Sequence, residues 1–207
     1  MKFTDQHLEH LNRQFRGIPT EEIIAWAIDY AKTPVITTNF GPYAASILHA
    51  VTVIKSDIPV IWCDTGYNTP NTYRHSDHLI KTLGLQIKIY GPQQTGAFRG
   101  VSMGIPHVED PRHAEFTEQV KLEPFRRAMK EHQPDVWFTN IRRGQTAFRD
   151  TLDILSVSKD GILKVSPFYH WNDAQLDVYL KQHNLPNEHT YFDPTKVFNN
   201  RECGIHF

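Results

Sequence analysis

Short β-rich apolar runs alternate along this chain with longer stretches of helical periodicity, and that alternation constrains the fold more than any other feature. Runs of four or five residues recur at Val35–Thr38, Pro59–Cys63, Gln86–Ile89 and Val136–Thr139. Two more, Ile154–Val157 and Ile162–Val165, flank a Lys159-Asp160-Gly161 turn. Helical patterns fill the gaps at Thr20–Lys32, Pro42–Lys55, Thr69–Leu83, Glu123–His132 and Asn172–His183. Thr20 ahead of Glu21 and Glu22, and Asn172-Asp173 ahead of Leu176 and Leu180, read as helix starts. Strand, helix, strand in this rhythm predicts an α/β fold: an open, mostly parallel twisted sheet with helices on both faces. The 207 residues suffice for one domain, with N-terminal helices over 1–33, an α/β core over 34–185 and a mobile C-terminal tail over 186–207. The stretch from Gly91 to Gln119 lacks periodicity and reads as an excursion beside the site or as a lid.

Several function classes fall away on composition. The formal net charge is −1, so no general nucleic-acid-binding surface is expected and any basic site must be local. No apolar stretch is long enough to cross a bilayer, and Met1-Lys2-Phe3-Thr4-Asp5 lacks the order of a secretory signal, so a cytoplasmic protein with no membrane partner is expected. Two cysteines, Cys63 and Cys203, cannot supply a four-thiolate iron–sulfur or zinc site within one chain. Cys63 ends an apolar run and reads as a buried thiol packed as a small hydrophobe. His75 and His78 share a helical spacing, but no further ligands complete a shell, and no metal is expected there.

In an open parallel sheet, ligands collect beyond the carboxyl ends of the strands. After the first strand, Thr37-Thr38-Asn39-Phe40-Gly41-Pro42 opens into a helix whose N-terminal N–H groups suit an anion, although many ordinary helix starts look alike. After the second comes Asp64-Thr65-Gly66-Tyr67. After the fourth, Arg142, Arg143 and Arg149 crowd one loop, which suits a phosphate or sulfate better than solvent alone. At the far end, Cys203 lies between Arg201-Glu202 and Gly204-Ile205-His206. Neighbouring positive charge favours its thiolate and Glu202 opposes it, so a reactive thiol and an incidental cysteine both remain open on local grounds.

Taken in order, these segments resemble the phosphoadenylyl-sulfate (PAPS) reductase family of the adenine-nucleotide α-hydrolase-like superfamily. The carriers are Thr38-Asn39-Phe40-Gly41 with Leu48-His49, Asp64-Thr65-Gly66-Tyr67 with Pro70 and Thr72-Tyr73-Arg74, and Lys121-Leu122-Glu123-Pro124. They continue through Trp137-Phe138, Arg142-Arg143 with Gln145 and Arg149, Lys164-Val165-Ser166-Pro167 with Trp171, and Arg201-Glu202-Cys203-Gly204-Ile205-His206. The sequence departs from the family pattern in four places. Asn39 and Tyr43 replace a usual serine and glutamine, Gly144 replaces a commonly acidic residue, and residues 187–196 form a shortened stretch without the usual Ser-x-Gly turn.

The resemblance implies a thiol-dependent PAPS reductase in which Cys203 attacks the sulfonucleotide sulfur and thioredoxin or glutaredoxin supplies electrons. It implies that Thr38, Asn39, Phe40 and Gly41 serve the nucleotide phosphate and that Thr65 and Gly66 serve the adenosine. Lys121, Arg142, Arg143 and Arg149 would take the sulfate and phosphates, with Arg201 and His206 accompanying Cys203. Family members that carry an iron–sulfur cluster have paired cysteines where this chain has Phe116-Thr117, so no cluster and the 3'-phosphorylated substrate are implied. Relatives are usually homodimers. The competing expectations are an ATP-pyrophosphatase-type relative, disfavoured because no Ser-Gly-Gly-x-Asp run follows the first strand, and a non-catalytic nucleotide-binding subunit.

Overall fold

The computed structural model describes residues 3–196. A six-stranded sheet in the order β3-β2-β1-β4-β6-β5 forms its centre. The strands are β1 Pro34–Thr38, β2 Pro59–Cys63, β3 Gln86–Tyr90, β4 Val136–Phe138, β5 Leu155–Val157 and β6 Leu163–Val165. All pairings are parallel except β5 with β6, which form the hairpin expected around Gly161. Gly161 supplies the positive φ, +81°, that this turn requires.

Helices α1 Asp5–Phe15 and α2 Thr20–Tyr30 precede β1, α3 Ala44–Ile54 and α4 Pro70–Leu83 follow β1 and β2, and α8 Asp173–Gln182 follows β6. Between β3 and β4 run α5 Gly96–Ser102, α6 Arg112–Thr117, a π turn at Glu118–Leu122 and α7 Glu123–His132. The aperiodic stretch from Gly91 is thus a helical excursion. Of the two start signals, Asn172 forms a reciprocal capping box with Gln175, whereas α2 begins at Thr20 as expected but behind Pro19 and without a side-chain cap; at α4 the Thr69 side chain accepts from Thr72 N ahead of Pro70. The third helix starts two residues later than its sequence suggests. Tyr43 takes a left-handed conformation (φ 61°), which leaves Pro42 in the preceding turn.

Alternation along the strands sorts side chains onto two faces. Ile36, Val60, Trp62, Val136 and Phe138 join the larger core with α2, α3 and α8. Val35, Ile61 and Trp137 point the other way, to Ala128, Phe125 and Met129 of α7. Helix α3 is buried along most of its length, which fixes the loop that precedes it. Among the described residues no helix is long and apolar enough to cross a membrane.

Candidate functional site at the carboxyl edge of the sheet

Strand β1 pairs with β2 on one side and β4 on the other, so chain direction diverges there and leaves a crevice beyond the strand ends. A cavity of about 370 Å³ occupies it. Thr38, Asn39, Thr65, Lys121, Arg142 and Arg149 of the expected site residues all line it. Phe40, Gly41, Gly66 and Arg143 stand outside that lining. Phe40 is fully buried and packs edge-on against Trp62, with ring centroids 4.9 Å apart. Gly41 faces the Tyr191 ring, and Arg143 is exposed, its backbone N–H donating to Tyr169 O at 2.9 Å. Cys203, Arg201 and His206 lie outside the described residues.

The β1 and β2 loops are built alike. Phe40 N and Gly41 N donate to Thr38 Oγ1 and Asn39 Oδ1, each at 3.0 Å. Gly66 N and Tyr67 N donate to Asp64 Oδ1 and Thr65 Oγ1 at 3.0 and 3.3 Å. These short side chains satisfy the loop amides locally, as in Asx and Ser/Thr turns. The Phe40 and Gly41 amides of the β1 loop are therefore already engaged. Asp64 also accepts from Asn68 and from the Tyr73 hydroxyl at 2.9 Å. Burial, and then that bond to Asp64, pushes the Tyr73 phenol up to about 12.

Among the described residues four cations line the cavity, Lys121, Arg142, Arg149 and Lys196, and the first three sit in distinct settings. Arg142 stacks over the Tyr43 ring at 5.0 Å and donates from Nη1 to Asp173 Oδ1 at 2.6 Å. Gln145 joins it to its neighbour, because one Oε1 accepts from Arg142 N at 2.9 Å and from Arg149 Nη1 at 2.5 Å. Lys121, on the π turn, is buried and pairs with buried Asp193. A π turn re-aims side chains within a helical run, and here it presents Lys121 to the cavity. Burial alone would raise the Asp193 carboxyl, but Lys121 and the Thr195 donors outweigh it and hold it below the usual carboxylate range.

The outer wall comes from a strap, residues 187–196, that follows α8. Asn187 accepts from Tyr43 N at 2.8 Å, and Asn140 donates to Tyr43 O at 3.0 Å. These two amides hold Tyr43 in its left-handed conformation under the Arg142 guanidinium. Burial first, then the Asp173 and Asp177 charges, push the Tyr43 phenol up against the opposing effect of Arg142. Tyr191 and Lys196 complete the lining. Sequence reading missed Asn140, Asp173, Asn187, Tyr191, Asp193 and Lys196 as site residues. Asn140 alone carried a signal, its place directly after a strand. Cys63, expected to be buried, is half-buried and lines the cavity from the end of β2.

This fold and its cavity define an α/β protein with an open, mostly parallel sheet and a crevice beyond its strand ends. An FMN adenylyltransferase from Candida glabrata, solved with FAD and inorganic pyrophosphate, shares the architecture at a TM-score of 0.53 and 12% identity, over 74% of this chain and 49% of that one. Residues 33–194 match the phosphoadenosine phosphosulfate reductase domain, and the chain belongs to that family. It is 34% identical to a phosphoadenosine 5'-phosphosulfate reductase from Xylella fastidiosa (strain M12), over 96% of this chain and 94% of that protein. A phosphoadenylyl-sulfate reductase from Candida auris, crystallised with phosphate, has the same fold, with a TM-score of 0.80 and 24% identity over 91% of both chains.

Proposed function

We propose that this chain reduces 3'-phosphoadenylyl sulfate to sulfite and adenosine 3',5'-bisphosphate, with Cys203 as nucleophile and thioredoxin or glutaredoxin as reductant. The observation that carries this reading is the cation-lined cavity that the strap helps to wall. Lys196 lines the same cavity as Lys121, Arg142 and Arg149. Cys203 follows seven residues later in the sequence, a span of at most about 25 Å. Family membership supplies the substrate class.

The Cys203 thiolate attacks the sulfate sulfur, forming an S–S bond as the S–O bond to the 5'-phosphate breaks. The electron pair leaves with the phosphate oxygen, and Cys203 becomes an S-sulfocysteine. Negative charge grows on that oxygen, where preorganised cations lower the barrier. Lys121, Arg142 and Arg149, with Lys196 of the strap, are the cations on the wall among the described residues. Thr38 and Asn39 bound the phosphate end, with Phe40 and Gly41 shaping their turn, and Thr65 with Gly66 borders the adenosine. Arg201, His206 and exposed Arg143 act with the incoming tail. One thiolate of the reductant then attacks Cys203 Sγ and sulfite departs with the S–S electron pair. The second thiol resolves the mixed disulfide and returns Cys203 as a thiol. The two electrons come from the reductant.

No iron–sulfur cluster takes part in this scheme. Phe116 stands where cluster-bearing members have the first paired cysteine, and its fully buried ring packs 5.5 Å from that of Tyr67. The protein works as a single-domain cytoplasmic homodimer, in the compartment where thioredoxin keeps thiols reduced.

Intact-mass measurement after mixing the reduced protein with PAPS tests the assignment. A sulfo adduct is expected in the wild type and absent in Cys203→Ser. AMP and pyrophosphate formed from ATP would replace this reading with the pyrophosphatase one. Thermal stabilisation by PAPS without any adduct would replace it with a binding subunit.

A further inference from the structure

The strap meets the cavity wall at a buried ion pair, beside the bond Tyr43 N donates to Asn187 and the contact of His113 Nε2 with Pro194 O at 3.3 Å. Side-chain exposure is 8% for Lys121 and 2% for Asp193. The remaining donors to Asp193 come from the strap itself: Thr195 N at 3.0 Å, Thr195 Oγ1 at 2.6 Å and the Tyr191 hydroxyl at 3.3 Å. Lys196 N also donates to Asp193 O at 3.0 Å, closing a turn. Asp193 thus folds the strap on itself and then fastens that turn to a single cation from the π turn, 72 residues away in sequence.

A buried ion pair is a poor way to gain stability, because desolvation offsets most of the attraction and an apolar pair would hold a strap as well. Its distinctive effect is to fix where the charges sit. Here one partner is a lysine that lines the cavity, and the other stands ten residues before Cys203 in the sequence. An alternative role for Asp193, a displaceable plug that competes with substrate for the ammonium, fits poorly with a carboxylate held by three further donors from its own turn.

We propose that Asp193 is a positioning residue: its carboxylate sets the Lys121 ammonium at the cavity wall and, by the same contact, sets the root of the segment that carries the nucleophile. Cation and tether share one anchor, so substrate charge and thiol approach are registered against each other. The inference rests on the reading of Cys203 given above. The carboxyl, held below its usual range, stays ionised at neutral pH.

The full chain tests it through Asp193→Asn, which keeps the shape and removes the charge, with Asp193→Glu as the conservative rescue. At saturating PAPS, the single-turnover rate of adduct formation should fall about 100-fold in the asparagine variant, the scale expected of an ångström-sized misplacement. The Kd for adenosine 3',5'-bisphosphate should stay near the wild-type value, and the glutamate variant should recover part of the rate. An unchanged rate, or faster reaction with tighter binding, overturns the proposal. A second readout needs no turnover: in Lys121→Met, amide hydrogen exchange over residues 190–196 should quicken about tenfold while α3 amides stay as in the wild type. Unaltered exchange in the strap overturns the shared anchor. Should the wild type form no adduct, the reductase reading fails, and the exchange measurement still decides whether Lys121 anchors the strap.

Discussion

The two walls of the cavity are built on opposite plans. The inner wall, formed by the loops after β1 and β2, is made by contacts between residues two apart: Thr38 with Phe40, Asn39 with Gly41, Asp64 with Gly66, Thr65 with Tyr67. The outer wall depends on partners far apart in sequence, Lys121 with Asp193 and Tyr43 with Asn187. Local turns form wherever their residues occur, so the inner wall is set by the nearest neighbours in the chain. The outer wall exists only once the sheet, α8 and the π turn have been assembled. Disturbing one wall should therefore alter catalysis differently from disturbing the other.

The sharpest contrast is between two cation–carboxylate pairs. Arg142 and Asp173 face the inner wall, where the Asp173 side chain is 67% exposed, whereas Asp193 is buried against Lys121. Solvent screens the exposed carboxylate, so Asp173→Asn should lower kcat/KM only a few-fold. Arg142→Ala removes the cation itself and should lower kcat/KM by about 100-fold, comparable to losing a preorganised donor to developing charge. Steady-state PAPS reduction with each variant measures both. If Asp173→Asn proved as damaging as Asp193→Asn, burial would not be what separates the two walls.

Gly41 is where the walls touch. A Cβ added there would lie 3.1 Å from two atoms of the Tyr191 ring and 3.2 Å from Asn39 Oδ1. Gly41→Ala should therefore press the strap away from the β1 loop and lower stability by about 1–2 kcal/mol, as mild overpacking does. Thermal unfolding reads the loss, and hydrogen exchange should place it in residues 190–196. A shift confined to α3 would mean that the β1 loop, not the strap, gives way.

The mostly parallel sheet and the strand positions were legible because the strands are short apolar runs separated by helical patterns, some of them with a start signal. Thr69, Asn172 and Gly161 act as sequence rules expect. The inner-wall residues Thr38, Asn39 and Thr65 were legible for the same reason, being polar residues just past a strand. Tyr43 misled: it sits in a helical pattern, yet Asn140 and Asn187, from 97 and 144 positions away, hold it left-handed. Asp193 and Tyr191 gave no signal, since their partners are defined only by tertiary assembly. Arg143 was grouped with its neighbours by charge, but a turn residue one step on faces solvent.

The smallest expected effect separates the helical layer from the strap by pH. His49 on α3 lies 2.8 Å from the Tyr179 hydroxyl and 4.4 Å, ring to ring, from His183. Burial, reinforced by His183, lowers its pKa. On α4, burial lowers His75, while the strap's Glu188 opposes and His78 adds to the shift. Both are more readily protonated in the unfolded chain, whose histidines titrate near 6.5, so stability should be level above about pH 7 and fall as pH drops toward the depressed folded values. Each group adds at most about one proton to that slope. Thermal unfolding from pH 7.5 to 5.5 should show the decline, and His49→Gln should remove its share while the His75 share remains. A Glu188→Gln variant takes away the one opposing charge from the strap, lowers His75 further and steepens the same decline. Were the slope indifferent to Glu188, the strap would be electrically uncoupled from α4, and its hold on the cavity would rest on Asp193 and Asn187.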